Sequence, residues 1–248
     1  MAKGDDLTVN HDFDMSMLAI IPARGGSKRI PRKNIIPFLG KPMIFYAIDA
    51  AVQSGLFDEI MVSTEDEEIA SVAGKCGAVV PFMRKSETAG DFVGIDDVIK
   101  DVLDSYKQYG REYDSFGVIF PCVPLLTGSR LQVAGEAFLN GKAEMMFSAV
   151  KYAHPIQRGV VISESGFAEF RDPKNYAKRT QDLEPVYHDA GMFYFCRTES
   201  FKRHGTLRVP RMSIFELEEM DAQDIDTMDD LRFAELKLEM RRRMGGDQ

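Results

Sequence analysis

The sequence predicts an α/β fold in which a mostly parallel sheet lies between two layers of helices. Short apolar runs of strand length alternate with amphipathic stretches of helix length along most of the chain. Such alternation is typical of parallel sheets, because each crossover helix packs back on the sheet that its strands form. The 248 residues are 44% hydrophobic, so the chain can bury one large core. We therefore expect a disordered extension at 1–16 and a single domain at 17–248.

The predicted elements begin with a buried strand at 17–23, which is a short apolar run. A helix at 42–54 follows, because a proline precedes its apolar spacing and a glycine comes directly after it. The same criteria predict strands at 59–63, 78–82, 115–120 and 144–150, and helices at 65–75, 95–109, 129–140 and 228–243. The region 155–211 breaks this pattern with short β-like pieces at 159–162 and 192–196. We interpret it as a small β-containing insertion that closes over a substrate or forms a dimer.

The charge distribution argues for a small anionic ligand. The formal net charge is −8, whereas a nucleic-acid-binding protein carries a basic face, so we expect no nucleic acid partner. Five cations and no acid lie within 24–33. A basic island in an acidic protein suits a small anion better than a polyanion.

Cysteine usage and hydropathy predict a cytoplasmic protein without a membrane partner. The three cysteines are far apart and form no C-x-x-C pair, which argues against a disulfide framework or a zinc site and fits a reducing compartment. No apolar run approaches the roughly 20 residues of a membrane span. The polar start of the chain lacks the hydrophobic region of a signal peptide.

A basic, glycine-containing loop at 24–34 (RGGSKRIPRKN) follows the first strand directly. Ligands of open α/β sheets bind beyond the carboxyl ends of the strands, which is where this loop lies. Its two glycines let the backbone approach a phosphate, Ser27 offers a hydroxyl, and Arg24, Lys28 and Lys33 can neutralise a triphosphate. Neither the P-loop pattern nor G-x-G-x-x-G is present. The alternative is a solvated basic turn.

A carboxylate pair, Asp224 and Asp226, lies just before the last predicted helix. Residues two apart in an extended segment point to the same side, so both carboxylates can face one Mg²⁺ ion while phosphates supply further oxygens. The alternative is that Asp226 caps the helix and Asp224 is an ordinary surface charge.

The segments 20–28 (IIPARGGSK) and 31–34 (PRKN) closely resemble the signature of the cytidylyltransferases that activate nine-carbon sialic acids. The similarity continues through 40–44 and 62–66 to 224–227 (DIDT), and spans about 17–240. It implies a three-layer α/β/α Rossmann-like nucleotidyltransferase fold. It also implies a reaction in which CTP and a 2-keto sugar acid give a CMP-sugar and pyrophosphate with Mg²⁺.

Within that family the chain resembles the branch that activates pseudaminic acid, through 27–31 (SKRIP), 155–158 (PIQR), 179–183 (RTQDL) and 187–194 (YHDAGMFY). Many sialic acid synthetases have a QPTSP-type segment where this chain has FPCVP at 120–124. Phe120 thus replaces a glutamine, which favours a less hydroxylated 9-deoxy sugar. The alternatives are synthetases of CMP-N-acetylneuraminate, CMP-legionaminate or CMP-Kdo, and, in another class, a non-catalytic regulatory module that binds a nucleotide or sugar.

The resemblance and the residue chemistry together give the candidate site. The CTP-binding candidates are Arg24, Gly25, Ser27, Lys28, Lys33, Asn34, Arg84 and Asp91, with Asn34 at the base or ribose. Arg24, Lys28 and Asp226 are the catalytic candidates, and Asp224 and Asp226 the metal ligands. A sugar carboxylate needs a cationic clamp, and the sugar-site candidates are Arg158, Arg179, Gln181, His188 and Asp189. For the two arginines the alternative is a surface or dimer contact, and for His188 it is a polar residue satisfied by its neighbours. The resemblance further implies a homodimer formed through 155–211.

Overall fold

The computed structural model describes residues 15–88, 90 and 93–245. Its strands are β1 (Met17–Pro22), β2 (Pro37–Phe38), β3 (Lys41–Pro42), β4 (Glu59–Ser63), β5 (Ser115–Ile119), β6 (Met145–Lys151), β7 (Val160–Ile162), β8 (Ala168–Phe170), β9 (Tyr187–Arg197) and β10 (Met212–Leu217). Its α-helices are α1 (Met43–Ser54), α2 (Glu67–Lys75), α3 (Ile95–Gln108), α4 (Gly128–Asn140), α5 (Thr198–His204) and α6 (Met228–Arg243). Most of these elements lie within one or two residues of their predicted positions.

Six strands form the main sheet in the order β10-β6-β9-β5-β1-β4. The pairs β1–β4, β1–β5 and β6–β10 are parallel, which confirms the predicted mostly parallel sheet. β9 lies antiparallel between β5 and β6, although its apolar run 192–196 was expected to belong to the insertion. The run lies in the sheet because alternate residues such as Phe193 and Phe195 are fully buried there. The part of 155–211 that lies before β9 carries the small antiparallel pair β7–β8.

Helices cover both faces of the sheet, and the first strand shows how the sequence achieves this. Met17, Ala19 and Ile21 pack into one hydrophobic core together with residues of α1, α2, α4 and α6. Leu18 and Ile20 point to the opposite face and pack with residues of α3 and α5. Because successive side chains of a strand alternate between faces, a continuously apolar strand requires helices on both sides. The arrangement is the three-layer α/β/α fold that the sequence predicts.

One predicted strand is missing, and the alternative role considered for Asp226 as a helix cap is wrong. The segment 78–82 forms only an isolated bridge, between Val79 and Met61, rather than a strand. Pro81 lacks a backbone N–H and cannot continue the ladder. At α6 the N-cap is Thr227, which forms a capping box with Asp230, so Asp226 does not cap the helix.

Candidate active site

A cavity of about 300 Å³ is lined by residues that follow the carboxyl ends of β1 and β5. The loop after β1 contributes Arg24, Ser27, Lys28, Arg29, Lys33 and Asn34, and the segment after β5 contributes Phe120, Pro121 and Cys122. Arg84, the start of α3, Gly191 in β9, and Asp224 and Asp226 before α6 complete the lining. The volume falls at the lower end of the range for small-molecule sites, and the position is the one expected for a ligand of an open α/β sheet.

The loop at 24–34 is a folded segment rather than a solvated turn. The backbone N–H of Ser27 donates to the carbonyl of Gly25 at 3.1 Å, and that of Lys33 donates to the carbonyl of Ile30 at 3.2 Å. Ile30 itself is buried in the core. Because these contacts fold the loop over the core, Arg24, Ser27, Lys28 and Lys33 all reach the cavity wall.

Asn34 holds the start of this loop through its side-chain amide. It is buried, and its Nδ2 donates to the carbonyl of Arg24 at 2.8 Å. Its Oδ1 accepts from the Cys122 thiol at 3.3 Å, and burial raises the pKa of that thiol to about 12. Asn34 therefore lines the cavity while holding the loop, and its predicted contact with the base or ribose stays a prediction. Cys122 was not a predicted site residue, and only its place in the 120–124 segment pointed to it.

The remaining predicted nucleotide residues have different surroundings. Arg84 is buried, lines the cavity, and donates through Nε to the Ser63 hydroxyl at 3.0 Å. Burial lowers the pKa of its guanidinium, although its charge still suits a phosphate. Gly25 does not line the cavity, and its N–H donates to Glu65 Oε1 at 2.6 Å. Asp91 lies outside the described residues.

The acidic pair and the basic loop meet at the cavity. Arg29 forms an ion pair with Asp226 at 2.7 Å, and Lys33 Nζ approaches the other carboxylate oxygen at 3.4 Å and also donates to the carbonyl of Ile225. Burial by the cavity walls and the nearby charge of Asp226 raise the pKa of the Asp224 carboxyl. Sequence reasoning missed Arg29 as a cavity residue, although it belongs to the basic run.

The carboxylate pair fits a hard divalent cation that is shared with a bound ligand. The described residues include no group of three or more His, Cys, Asp or Glu side chains that could hold a metal alone. Asp224 and Asp226 supply oxygen ligands at one wall of the cavity, and a cation there relieves the repulsion that raises the Asp224 pKa. Mg²⁺ typically takes one or two carboxylates and fills its other positions with phosphates and water.

Side chains of α4 and α6 hold the segment that carries these carboxylates. Lys237 Nζ donates to the carbonyls of Glu219 and Ala222, both at 2.7 Å. Asp221 accepts from Arg130 at 2.6 Å and from Arg241 at 2.5 Å. The backbone before Asp224 is therefore anchored on two helices, which lets α6 set the position of the pair.

None of the five predicted sugar residues lines the cavity directly. Arg158 and Arg179 are mainly occupied within their own loop: Arg158 donates to Thr180 at 3.2 Å, and Arg179 pairs with Asp182 at 2.8 Å. Neither lines the cavity, and neither does Gln181, which is exposed. His188 is exposed and its ring lies 4.9 Å from that of Tyr152.

Asp189 reaches the cavity wall indirectly through a bulge in β9. The register between β6 and β9 shifts between Phe147 and Ala149, and the Ser148 hydroxyl fills the irregularity by accepting from two β9 N–H groups. Gly191 adopts a φ of 63° there and lines the cavity. Its N–H donates to Asp189 Oδ1 at 2.8 Å, so Asp189 shapes the bulge.

An aromatic pair forms the wall beside this bulge. The Phe120 and Tyr194 rings pack edge to face, with centroids 5.2 Å apart, and Phe120 lines the cavity. The Tyr194 hydroxyl donates to Asp189 Oδ2, and burial raises the pKa of that phenol. The cavity thus has a cationic wall, an acidic wall and an apolar wall.

Comparison with known proteins explains this combination. Residues 18–155 match the family described as Cytidylyltransferase, which is more than half of the chain. The chain belongs to the cytidylyltransferase family. It is accordingly a nucleotidyltransferase that uses CTP, and the predicted family is confirmed.

Individual relatives agree with this assignment. The chain is 41% identical over 222 residues to a pseudaminic acid cytidylyltransferase of Campylobacter jejuni subsp. jejuni, covering 90% of this chain and 96% of that protein. It is 32% identical over 220 residues to an N-acylneuraminate cytidylyltransferase of Streptococcus agalactiae, covering 87% of this chain and 52% of that protein. The structure of a CMP:2-keto-3-deoxy-manno-octonic acid synthetase complexed with CTP superimposes with a TM-score of 0.66 at 18% identity, over 91% of this chain and 99% of that chain. At that identity the likeness establishes the fold, which the sequence predicted.

Proposed function

We propose that this cytidylyltransferase transfers CMP from CTP to pseudaminic acid and releases pyrophosphate. The observation that carries the proposal is the apolar wall of Phe120 and Tyr194 beside the cationic loop. A ring and a tyrosine body offer apolar contact where a glutamine would offer hydrogen bonds, which suits a deoxy sugar better than a hydroxylated one. The 41% identity to the Campylobacter jejuni pseudaminic acid cytidylyltransferase over 90% of this chain, against 32% to the Streptococcus agalactiae N-acylneuraminate enzyme, supports the same choice.

In the proposed reaction the anomeric hydroxyl oxygen of the sugar acid attacks the α-phosphorus of CTP. The new bond joins that oxygen to phosphorus, the bond from the α-phosphorus to the bridging oxygen of pyrophosphate breaks, and the hydroxyl proton passes to solvent. The protein positions the two substrates and neutralises the charge that develops on the phosphate oxygens. The cations of the cavity wall that we propose for that task are Arg24, Lys28, Lys33 and Arg84.

Asp224 and Asp226 are the residues that we propose to hold Mg²⁺. When bound there with the triphosphate, the ion supplies Lewis-acid stabilisation of phosphate oxygens. In the structure Asp226 also forms ion pairs with Arg29 and Lys33, so cations of the loop neutralise its carboxylate. We infer that CTP binding draws these side chains to phosphate and leaves Asp226 available to the ion.

We propose a homodimer in which the β7–β8 hairpin contacts a second subunit and brings Arg158 or Arg179 to the partner's sugar site. The hairpin exposes apolar side chains that a monomer leaves in water, including Val160, Ile162 and Phe167. Light scattering coupled to size-exclusion chromatography measures the mass directly. A value near the 27.9 kDa of one chain would refute the dimer, and twice that value is expected.

We also propose that the enzyme works in the cytoplasm. Cys76, Cys122 and Cys196 are free thiols, which suits a reducing compartment. Separately, the part of the chain that the structure describes has no helix long and apolar enough to cross a membrane. Fractionation of cells that express the untagged chain tests the location.

Pyrophosphate release tests the function. CTP and Mg²⁺ are incubated with the enzyme and, in parallel, with pseudaminic, N-acetylneuraminic, legionaminic or Kdo sugar acid, while ATP and UTP serve as nucleotide controls. Release with CTP and pseudaminic acid alone is expected. Release with another sugar acid would keep the chemistry and discard the proposed substrate.

A further inference from the structure

The basic run of the nucleotide loop divides into cations that face the cavity and one that does not. Arg24, Lys28, Arg29 and Lys33 line the cavity, whereas Arg32 is absent from its wall. The Arg32 guanidinium instead binds both carboxylate oxygens of Asp66, with NH2 at 3.0 Å from Oδ1 and NH1 on Oδ2. Arg32 NH2 also pairs with Glu68 Oε2 at 2.5 Å in the first turn of α2, so its acidic partners are Asp66 and Glu68.

Asp66 is a fixed anchor for this contact. It is the N-cap of α2, where Oδ1 accepts from the N–H of Ile69 at 3.0 Å. Its own N–H donates to the hydroxyl of Thr64 at 3.1 Å, and Thr64 is fully buried. Arg32 holds the pKa of the Asp66 carboxyl below its ordinary value, so the pair is ionic under physiological conditions.

The start of the loop rests on the same turn. The N–H of Gly25 donates to Glu65 Oε1 at 2.6 Å. A Cβ at Gly25 would lie only 2.6 Å from Asp66 Oδ2, so glycine is needed for this close approach. The turn at 64–66 thus contacts the loop at both ends, at Gly25 and at Arg32, and the cavity-lining Lys28 and Arg29 lie between them.

The backbone of Arg32 is a second sign that its side chain is needed. Its φ of 57° and ψ of 29° lie in the left-handed region, which disfavours residues other than glycine and, to a lesser degree, asparagine. Arg32 is also the N-cap of the short 3-10 turn Lys33–Ile35, which brings Lys33 and Asn34 to the cavity. An arginine in a strained position that fixes two site residues fits a functional constraint on the side chain.

We propose that Arg32 is a positioning residue of the nucleotide site, which clips the loop to Asp66 so that its other cations form a preorganised triphosphate cradle. This inference rests on the proposed function only in taking the loop as the CTP site. A preorganised cradle binds its ligand without first ordering the loop, so loss of the clip weakens nucleotide binding more than it slows the chemical step.

The test uses variants that remove the clip and keep the backbone. Arg32→Asn and Arg32→Gly both tolerate a positive φ. Asp66→Asn combined with Glu68→Gln removes both ion pairs of Arg32 and keeps an N-cap oxygen on α2. We expect each to raise the KM for CTP, and the Kd for CTP by calorimetry without sugar acid, by about tenfold, with kcat within about threefold. Arg32→Gly should keep or raise the melting temperature, which separates the loss from unfolding.

A double-mutant cycle distinguishes a clip from direct contact with phosphate. If Arg32 acts through Asp66 and Glu68, then adding Arg32→Asn to the Asp66→Asn/Glu68→Gln variant weakens CTP binding no further. Arg111→Asn is the matched control, because Arg111 pairs with Glu59 at 2.6 Å at the other end of β4 and lies off the cavity. It should leave CTP binding unchanged.

Each outcome bears on one of the two hypotheses. A Kd for CTP within twofold of the wild type in Arg32→Asn would overturn the clip. A strong loss in Arg32→Asn beside normal binding in Asp66→Asn/Glu68→Gln would overturn it too. A wild-type protein that binds no CTP would instead contradict the proposed function and leave no cradle to position.

Discussion

The residues that we propose for the nucleotide and those that we propose for the sugar acid differ in how they are placed relative to the cavity. On the nucleotide side Asn34 and Arg84 are buried and bonded to the core, and the loop cations lie on a folded segment. On the sugar side Arg158 and Arg179 are mostly occupied by neighbours within their own loop and do not line the cavity. If these residues bind the two substrates as we propose, nucleotide binding is preorganised in one chain, whereas sugar binding by the two arginines requires a rearrangement or a second subunit. The two halves should therefore respond differently to substitution.

The largest expected effect is loss of turnover in Asp226→Asn. The amide keeps the shape but removes the charge that we propose to hold Mg²⁺, so kcat should fall by at least about 10³-fold while the Kd for CTP alone stays within about tenfold. Pyrophosphate release and calorimetry measure the two quantities. The control is Asp229→Asn, because Asp229 is exposed on α6 and its ion pair there is with Arg232. Unchanged turnover in Asp226→Asn would contradict the assignment of Asp226 as a metal ligand.

A somewhat smaller loss is expected for Lys33→Gln on the nucleotide side. Lys33 joins the loop to the acidic segment through Ile225 and Asp226, and we expect it to contact phosphate. Its loss should lower kcat/KM for CTP by about 10²-fold. Steady-state kinetics with varied CTP measures this effect. Lys41→Gln is the control, because Lys41 lies over the Phe45 ring away from the cavity; equal losses in both variants would contradict the assignment.

On the sugar side, Phe120→Gln should change the choice of sugar acid without changing CTP binding. Replacing an apolar wall by an amide should lower kcat/KM for pseudaminic acid by about 10- to 100-fold, because a buried amide loses hydrogen bonds to water beside a deoxy sugar. Relative activity towards N-acetylneuraminic acid should rise. Competition between the two acids measures the change, and Phe233→Gln, on the exposed face of α6, is the control. An altered KM for CTP would place Phe120 on the nucleotide side instead.

A further test of the sugar side is Arg179→Gln. If Arg179 leaves Asp182 to bind the sugar carboxylate, the KM for the sugar acid should rise by about tenfold with the KM for CTP unchanged. Arg232→Gln is a matched control, since Arg232 forms a similar pair three residues from its partner on α6. Light scattering on the same variant separates a lost sugar contact from a lost dimer. No change in any of these would leave Arg179 a surface residue.

The last prediction concerns stability at high pH rather than activity. Burial raises the pKa of Cys122 and of Cys196 to about 12. The unfolded thiols ionise near their ordinary pKa of 9.0, so the stabilisation is complete below that pH and is lost as pH rises towards 12. Between these limits each thiol should lower the free energy of unfolding by about 1.4 kcal/mol per pH unit. Urea unfolding at several pH values measures the slope, and Cys122→Ala should reduce it; an unchanged slope would show that the thiol does not contribute.

The sequence predicted best those features that depend on residues close together in the chain. The first strand, α6 and the basic loop after β1 follow from apolar runs, helical spacing and a dense charge cluster. The sequence could not place β9, because antiparallel pairing with β5 and β6 joins segments far apart in the chain. It also predicted a strand at 78–82 that Pro81 interrupts.

By itself, the sequence determined the layered α/β fold, the family and the basic character of the loop after β1. All three depend on local patterns and contiguous motifs. The tertiary structure decided which charges do which work. In the structure Arg32 pairs with Asp66, and Arg29 pairs with Asp226. The Cys122 thiol donates to Asn34, and the two arginines proposed for the sugar site do not line the cavity. The reason is physical: the direction in which a side chain points depends on partners that only the fold brings close. The spacing of residues along the chain does not show which partners these are.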